Sequence, residues 1–141
     1  MITEDYVSFE TAKLLKEKGF DAECHSHYYP CHYPDGSIQY HKYNRTAIKK
    51  NKSWYDIYSL KNLPKDHYLA PTLQMAMKWL REVYGIYPDI AVEEIDDNTT
   101  FFRVDGIYLK QKKMWNKYDN LFKTYEEACE AAIKYCLENL I

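Results

Sequence analysis

Apolar positions recur at three- and four-residue spacing in three stretches of the chain, and each stretch carries the end signals of a helix. In the first, Phe9, Ala12 and Leu15 share a face, Ser8 stands where a cap belongs, and Gly19 follows the last periodic position. A left-handed Gly19 would let Phe20 fold back on Leu15, the contact of a Schellman ending. The second stretch follows Ala70-Pro71-Thr72, an entry with proline and a capping hydroxyl, and runs Leu73, Ala76, Met77, Leu80 and Tyr84 as one stripe up to Gly85. Met75 and Trp79, four apart on an adjoining face, widen its apolar surface, which suits core packing first and contact with another helix or a partner second. The third opens on Thr124-Tyr125-Glu126-Glu127, a capping box in which the Thr124 hydroxyl and the Glu127 carboxylate each satisfy a free amide. Its buried face is predicted to be Ala128, Cys129, Ala132, Ile133, Cys136, Leu137 and Leu140, with Glu126, Glu130, Lys134 and Glu138 toward solvent.

After Gly85 the pattern turns to strands. Ile90–Ile95, a turn at Asp96-Asp97-Asn98, and Thr99–Val104 predict a hairpin, and Asp105-Gly106, a pair favoured in two-residue turns, predicts a second one leading into Ile107-Tyr108-Leu109. The reading is a three-stranded antiparallel meander spanning Ile90 to Lys112. From Asp21 to about His67 helical spacing is lost and Tyr, His, Asn and Lys dominate. Pro34-Asp35-Gly36 has good turn chemistry, so Tyr28–Tyr33 and Ser37–Tyr43 are expected to pair, with Pro30 forcing the first to be an edge or a broken strand. Trp54–Tyr58 reads as a further short extended piece, behind a basic loop at Arg45–Lys52. Residues 21–68 thus form an irregular Tyr/His-rich segment within a single domain covering 1–141. The expected class is α+β, an antiparallel sheet with three flanking helices in a sandwich-like α/β/α arrangement.

Composition agrees with one ordinary globular core. The 141 residues are 46% hydrophobic and 28% charged with only four glycines, which excludes a disordered or low-complexity chain. Fifteen tyrosines suit strands and half-buried positions, and they also suit recognition surfaces. A formal charge of −2 selects no polyanionic partner. No apolar run approaches the roughly 20 residues of a membrane span, and the start, Met1-Ile2-Thr3-Glu4-Asp5, is acidic where a signal peptide is basic, so the cytoplasm is the expected location. Cys129 and Cys136 on the apolar side of a helix suit a reducing compartment better than a disulfide framework.

Three groupings could carry chemistry. Cys24, His27, Cys31 and His32 offer four zinc-preferred ligands, with His25 and His41 nearby, although Cys-x-x-His followed by Cys-His matches no known zinc template; the alternative is a set of surface and edge-strand residues. Cys24-His25 and Cys31-His32 bring thiol and base together in sequence, but neighbours on a strand face opposite ways, so thiol catalysis is poorly served. Glu93-Glu94 and Asp96-Asp97, beside a hairpin turn, read as solvated carboxylates. Two basic stretches interleave cations with aromatics: Lys49, Lys50, Lys52 and Trp54 within residues 45–55, and Lys110, Lys112, Lys113 and Trp115 within residues 110–117. Such a pattern fits backbone contact plus base stacking in a nucleic-acid site, and equally fits solvated loops and edge protection.

The three helical blocks, Val7 to Asp21, Ala70 to Glu82 and Tyr125 to Ile141, together resemble a family of short uncharacterised proteins of Bacteroides-type gut bacteria and their phages. The order helix, irregular strands, helix, meander, helix is also similar to the small phage ABA sandwich proteins. The resemblance implies a phage or mobile-element setting and no reaction. With no phosphate loop or nucleophile elbow in the sequence, the expectation is a non-enzymatic module that binds a host or phage protein, with nucleic-acid binding through the two lysine/aromatic stretches as the alternative.

Overall fold

A computed structural model describes residues 2–43, 59–110, 112–113 and 120–141. The predicted extended piece Trp54–Tyr58 and the basic loop Arg45–Lys52 lie outside the described residues. The chain divides into two compact units, Tyr6–Pro71 and Met1–Asp5 with Thr72–Ile141. The class is α+β with antiparallel strands throughout. The strands divide between two three-stranded sheets instead of building one.

In the Tyr6–Pro71 unit, helix α1 (Phe9–Glu17) starts at Ser8, whose hydroxyl accepts the Thr11 amide at 3.2 Å. It ends as its sequence predicts. Gly19 has φ of 84°, its amide reaches the Lys16 carbonyl, and the Phe20 amide reaches the Leu15 carbonyl at 2.9 Å, which are the two bonds of a Schellman ending. Phe20 and Leu15 are both buried. The sheet has the order β2-β1-β3, with β1 at His27–His32, β2 at Ile38–Tyr43 and β3 at Tyr68–Leu69. β1 and β2 are the hairpin expected around Pro34-Asp35-Gly36. The Tyr33 amide bonds to Ser37, Asp35 accepts the Ser37 amide and hydroxyl, and Gly36 takes a φ of 86° that β-carbon-bearing residues seldom adopt. β3 pairs only with His27 and Tyr28, so among the described residues Pro30 lies where β1 has a neighbour on one side alone, as suits a proline.

In the other unit, Thr72 caps helix α2 (Leu73–Trp79) through a 3.1 Å bond from the Met75 amide. The last turn, Leu80–Tyr84, widens to a π-helix closed by Gly85 at φ of 67°. The expected stripe is buried at Leu73, Ala76, Met77 and Leu80, whereas Tyr84 is turned out to half-burial, edge-on to Trp79 at 5.1 Å. Helix α3 (Tyr125–Asn139) packs on strands β4 and β5 and on α2 through Ala128, Cys129, Ala132, Ile133, Cys136 and Leu137, all inaccessible. Thr124 accepts the Glu127 amide, and Glu127 reaches back to the Lys123 amide, one residue ahead of the cap.

The meander differs from its predicted boundaries. β4 runs Ile86–Asp96 and β5 runs Thr99–Leu109, joined by the expected turn at Asp97-Asn98. Asp105-Gly106 makes no turn. Asp89 pairs with Gly106 and Ile90 with Val104, so Asp105 is an extra residue bulged out of β5. The reason lies in the core: Val104 and Ile107, three apart, would face opposite sides of a regular strand, yet both are buried. The bulge brings them to one face. The chain reverses instead at Lys110, whose φ is 49°, into β6 (Lys112–Lys113), giving the order β4-β5-β6. The Phe122 amide and carbonyl bridge Phe102 at 2.7 and 2.8 Å.

Candidate functional site

Alternation along β1 separates His27, Tyr29 and Cys31 from Tyr28, Pro30 and His32, and the register with β2 places Tyr43, His41 and Gln39 opposite the first three. The second set of β1 residues lies on the face that α1 covers. Phe9 stacks on Tyr40 at 4.2 Å and meets Tyr28 and Tyr68 edge-on at 5.6 and 5.4 Å. The Tyr28 hydroxyl donates to the Val7 carbonyl at 2.7 Å, and the Lys16 ammonium sits 4.7 Å over the Tyr68 ring while bonding the Lys65 and His67 carbonyls. Lys42 likewise lies over Tyr6. This side is a finished aromatic core whose cations are held on ring faces.

The opposite face of the same sheet is lined by imidazoles and phenols. His27 stacks on His67 with ring centroids 5.2 Å apart and on Tyr43 at 5.5 Å. Tyr29 lies 6.1 Å from His27, 6.2 Å from His41 and 6.4 Å from His67, and the Tyr33 hydroxyl shares a 3.2 Å hydrogen bond with His41 Nε2. Burial grades across the patch: His27 is 7% exposed, Tyr29, Cys31 and His67 are half-buried, and Tyr33, His41 and Tyr43 are exposed. The side chains that the strands set here, together with His67, include no Asp, Glu, Lys or Arg. Such a surface can offer ring area and hydrogen-bonding edges and carries no fixed charge of its own.

The four residues expected to bind zinc are not assembled. Cys24 is buried ahead of β1, its thiol donates to the Ala22 carbonyl at 3.4 Å, and burial pushes that thiol up to about 12, far from a ready thiolate. Cys31 is four residues from His27 along the strand, roughly 13 Å at strand rise, and His32 points to the other face. Among the described residues no three His, Cys, Asp or Glu side chains stand close enough to share a metal ion. Cys31 and His32 also diverge, so this pair forms no nucleophile and base. Of the lysine/aromatic stretches, Lys49, Lys50, Lys52, Trp54 and Trp115 lie outside the described residues. Lys110 is exposed at the turn after β5, Lys112 is exposed on β6, and Lys113 follows it in that strand. Glu93 meets Arg103 at 3.3 Å, and hydrogen bonds from the Asn98 amide and the Thr99 hydroxyl hold the Asp96 carboxyl below its ordinary range.

The pairing register sends Tyr28 to the α1 side, away from Tyr29 and Tyr33. The sequence carries no sign that His67 meets His27. Their contact comes from the antiparallel return of β3, forty residues later, and has no local signal. Tyr43 was legible in principle from the alternation Gln39, His41, Tyr43 within a hairpin strand. No helix among the described residues is long and apolar enough to cross a membrane. No family model, curated protein or solved structure matches the chain.

Proposed function

We propose that this chain is a non-enzymatic protein-interaction module whose contact surface is the imidazole and tyrosine face of the β2-β1-β3 sheet. The observation that carries this reading is the ring cluster of His27, Tyr29, Tyr33, His41, Tyr43 and His67, with no charged side chain at the strand positions of that face among the described residues. Interface centres are enriched in aromatics and depleted of charge, and tyrosine supplies large contact area with little side-chain entropy to lose. A nucleic-acid surface needs cations beside its stacking rings, and Lys13, Lys16 and Lys42, the lysines packed on aromatics among the described residues of this unit, serve the opposite side of the sheet. The phage or mobile-element setting belongs to the same proposal and rests on the three helical blocks. The test is capture of partners from a Bacteroides-type lysate with and without nuclease, using the wild-type chain and a Tyr33→Ala/His41→Ala variant. A nuclease-resistant protein retained by the wild type and lost by the variant is the expected result. Nuclease-sensitive capture that the variant leaves intact overturns the reading in favour of the lysine/aromatic stretches.

A further inference from the structure

The β4-β5-β6 sheet ends, among the described residues, in an eleven-residue edge strand, β4. Half of the amides and carbonyls of such a strand point away from its partner, a ready template for one more strand. The protection usual on an edge lies at the two ends here: Pro88 and the β5 bulge opposite Asp89 and Ile90 at one, and the shifted register between Glu94 and Asp96 at the other. From Ile90 to Glu94 the ladder with β5 is regular, and in its middle Val92 is 61% exposed, a β-branched side chain with nothing over it. The strand contains Asp89, Glu93, Glu94 and Asp96 and no lysine or arginine. Among the described residues only Glu93 meets a cation, Arg103. Lysine is the usual guard of an edge, and a one-sign run of carboxylates leaves the strand attractive to a basic partner while it repels a second copy of itself.

We infer that the Ile90–Glu94 edge is a docking site for an extended basic segment of a partner protein, which adds to the sheet as a fourth strand beside β4. Main-chain hydrogen bonds hold such a segment, an apolar side chain covers Val92, and a lysine or arginine two residues along, on the same face, meets Glu94. The site is independent of the ring face of the other sheet. The probe is a capped peptide repeating valine-threonine-lysine-threonine, which sets valine and lysine on one face, with the valine-threonine-glutamate-threonine repeat as control. Binding is followed by fluorescence anisotropy at low and high salt, and the β4 amides by hydrogen exchange. The expected result is saturable binding of the lysine peptide alone, weakened by salt, with added protection confined to alternate amides of β4. Glu94→Lys, a change at an exposed side chain, lowers the affinity about fivefold, and Val92→Lys/Glu94→Lys lowers it more than tenfold. Equal binding of the two peptides, or binding that the double variant leaves unchanged, or protection outside β4 overturns the inference, as does no binding at all.

Discussion

The bulge at Asp105 makes a prediction that separates two readings of the same dipeptide. If Asp105-Gly106 were a hairpin turn, deleting Asp105 would destroy it. In the observed register Asp105 is the surplus residue, and its deletion leaves Val104 opposite Ile90, Gly106 opposite Asp89 and Ile107 opposite Pro88, a regular ladder with both apolar side chains still inward. What is lost is the 3.3 Å contact between Asp105 and Arg103, both about one-third exposed, a pair worth about 0–1 kcal/mol after solvent screening. Deleting Arg103 instead puts Phe102 next to Val104, so one of the two must leave its face. Expelling the fully buried Val104 costs about 1.5–3 kcal/mol in lost burial, on top of both Arg103 contacts. Urea denaturation followed by far-ultraviolet circular dichroism compares the variants. The Asp105 deletion is expected within about 1 kcal/mol of the parent and the Arg103 deletion well below it. Equal and large losses for both deletions would refute the argument from the bulge.

Other consequences follow from particular residues. Phe9→Ala removes a ring that touches three tyrosines and should destabilise the Tyr6–Pro71 unit by about 2–4 kcal/mol, less than a fully buried phenylalanine because Phe9 is only half-buried, visible as faster hydrogen exchange in β1 and β2. Thr124→Ala should cost about 0.5–2 kcal/mol by uncapping α3, whereas Thr124→Ser should be nearly silent in the same melts. Gly19→Ala should cost about 1 kcal/mol, because φ of 84° and not crowding is the constraint: space at its would-be β-carbon is open. Burial raises the Cys24 and Cys136 thiols to about 12, above their ordinary value of 9.0. The unfolded chain therefore releases these protons first, so stability present below pH 9 should decline as pH rises from there toward 12, and replacing both residues by alanine should flatten that part of the stability profile. At pH 8 neither thiol should react with a thiol reagent until the chain is unfolded.

Local rules reached far where the answer depends on a few consecutive residues. Ser8, Thr72 and Thr124 cap the three helices, Gly19 and Gly85 take the left-handed endings, and the third helix buries the apolar face its spacing marks except Leu140, which stays half-buried at the end. Pro34-Asp35-Gly36 turns the first hairpin because proline and glycine hold those torsions with little help from neighbours. The zinc reading failed for a reason internal to strands: residues close in sequence are driven apart by alternation, and Cys24 is withdrawn into the core. Asp105-Gly106 was ambiguous because the same pair serves a turn or a bulge, and burial of Val104 and Ile107 decided between them.

By itself the sequence determined the α+β class, the positions and ends of the helices, and the first hairpin, all governed by torsional preference, capping and hydrophobic period over short spans. Only the tertiary structure decided that the strands part into two sheets, that Tyr28 faces α1 while Tyr29 joins the imidazoles, and that His67 returns to stack on His27. Those outcomes depend on pairing between segments tens of residues apart. There a shift of one position exchanges the faces of a whole strand, and no local preference is strong enough to choose.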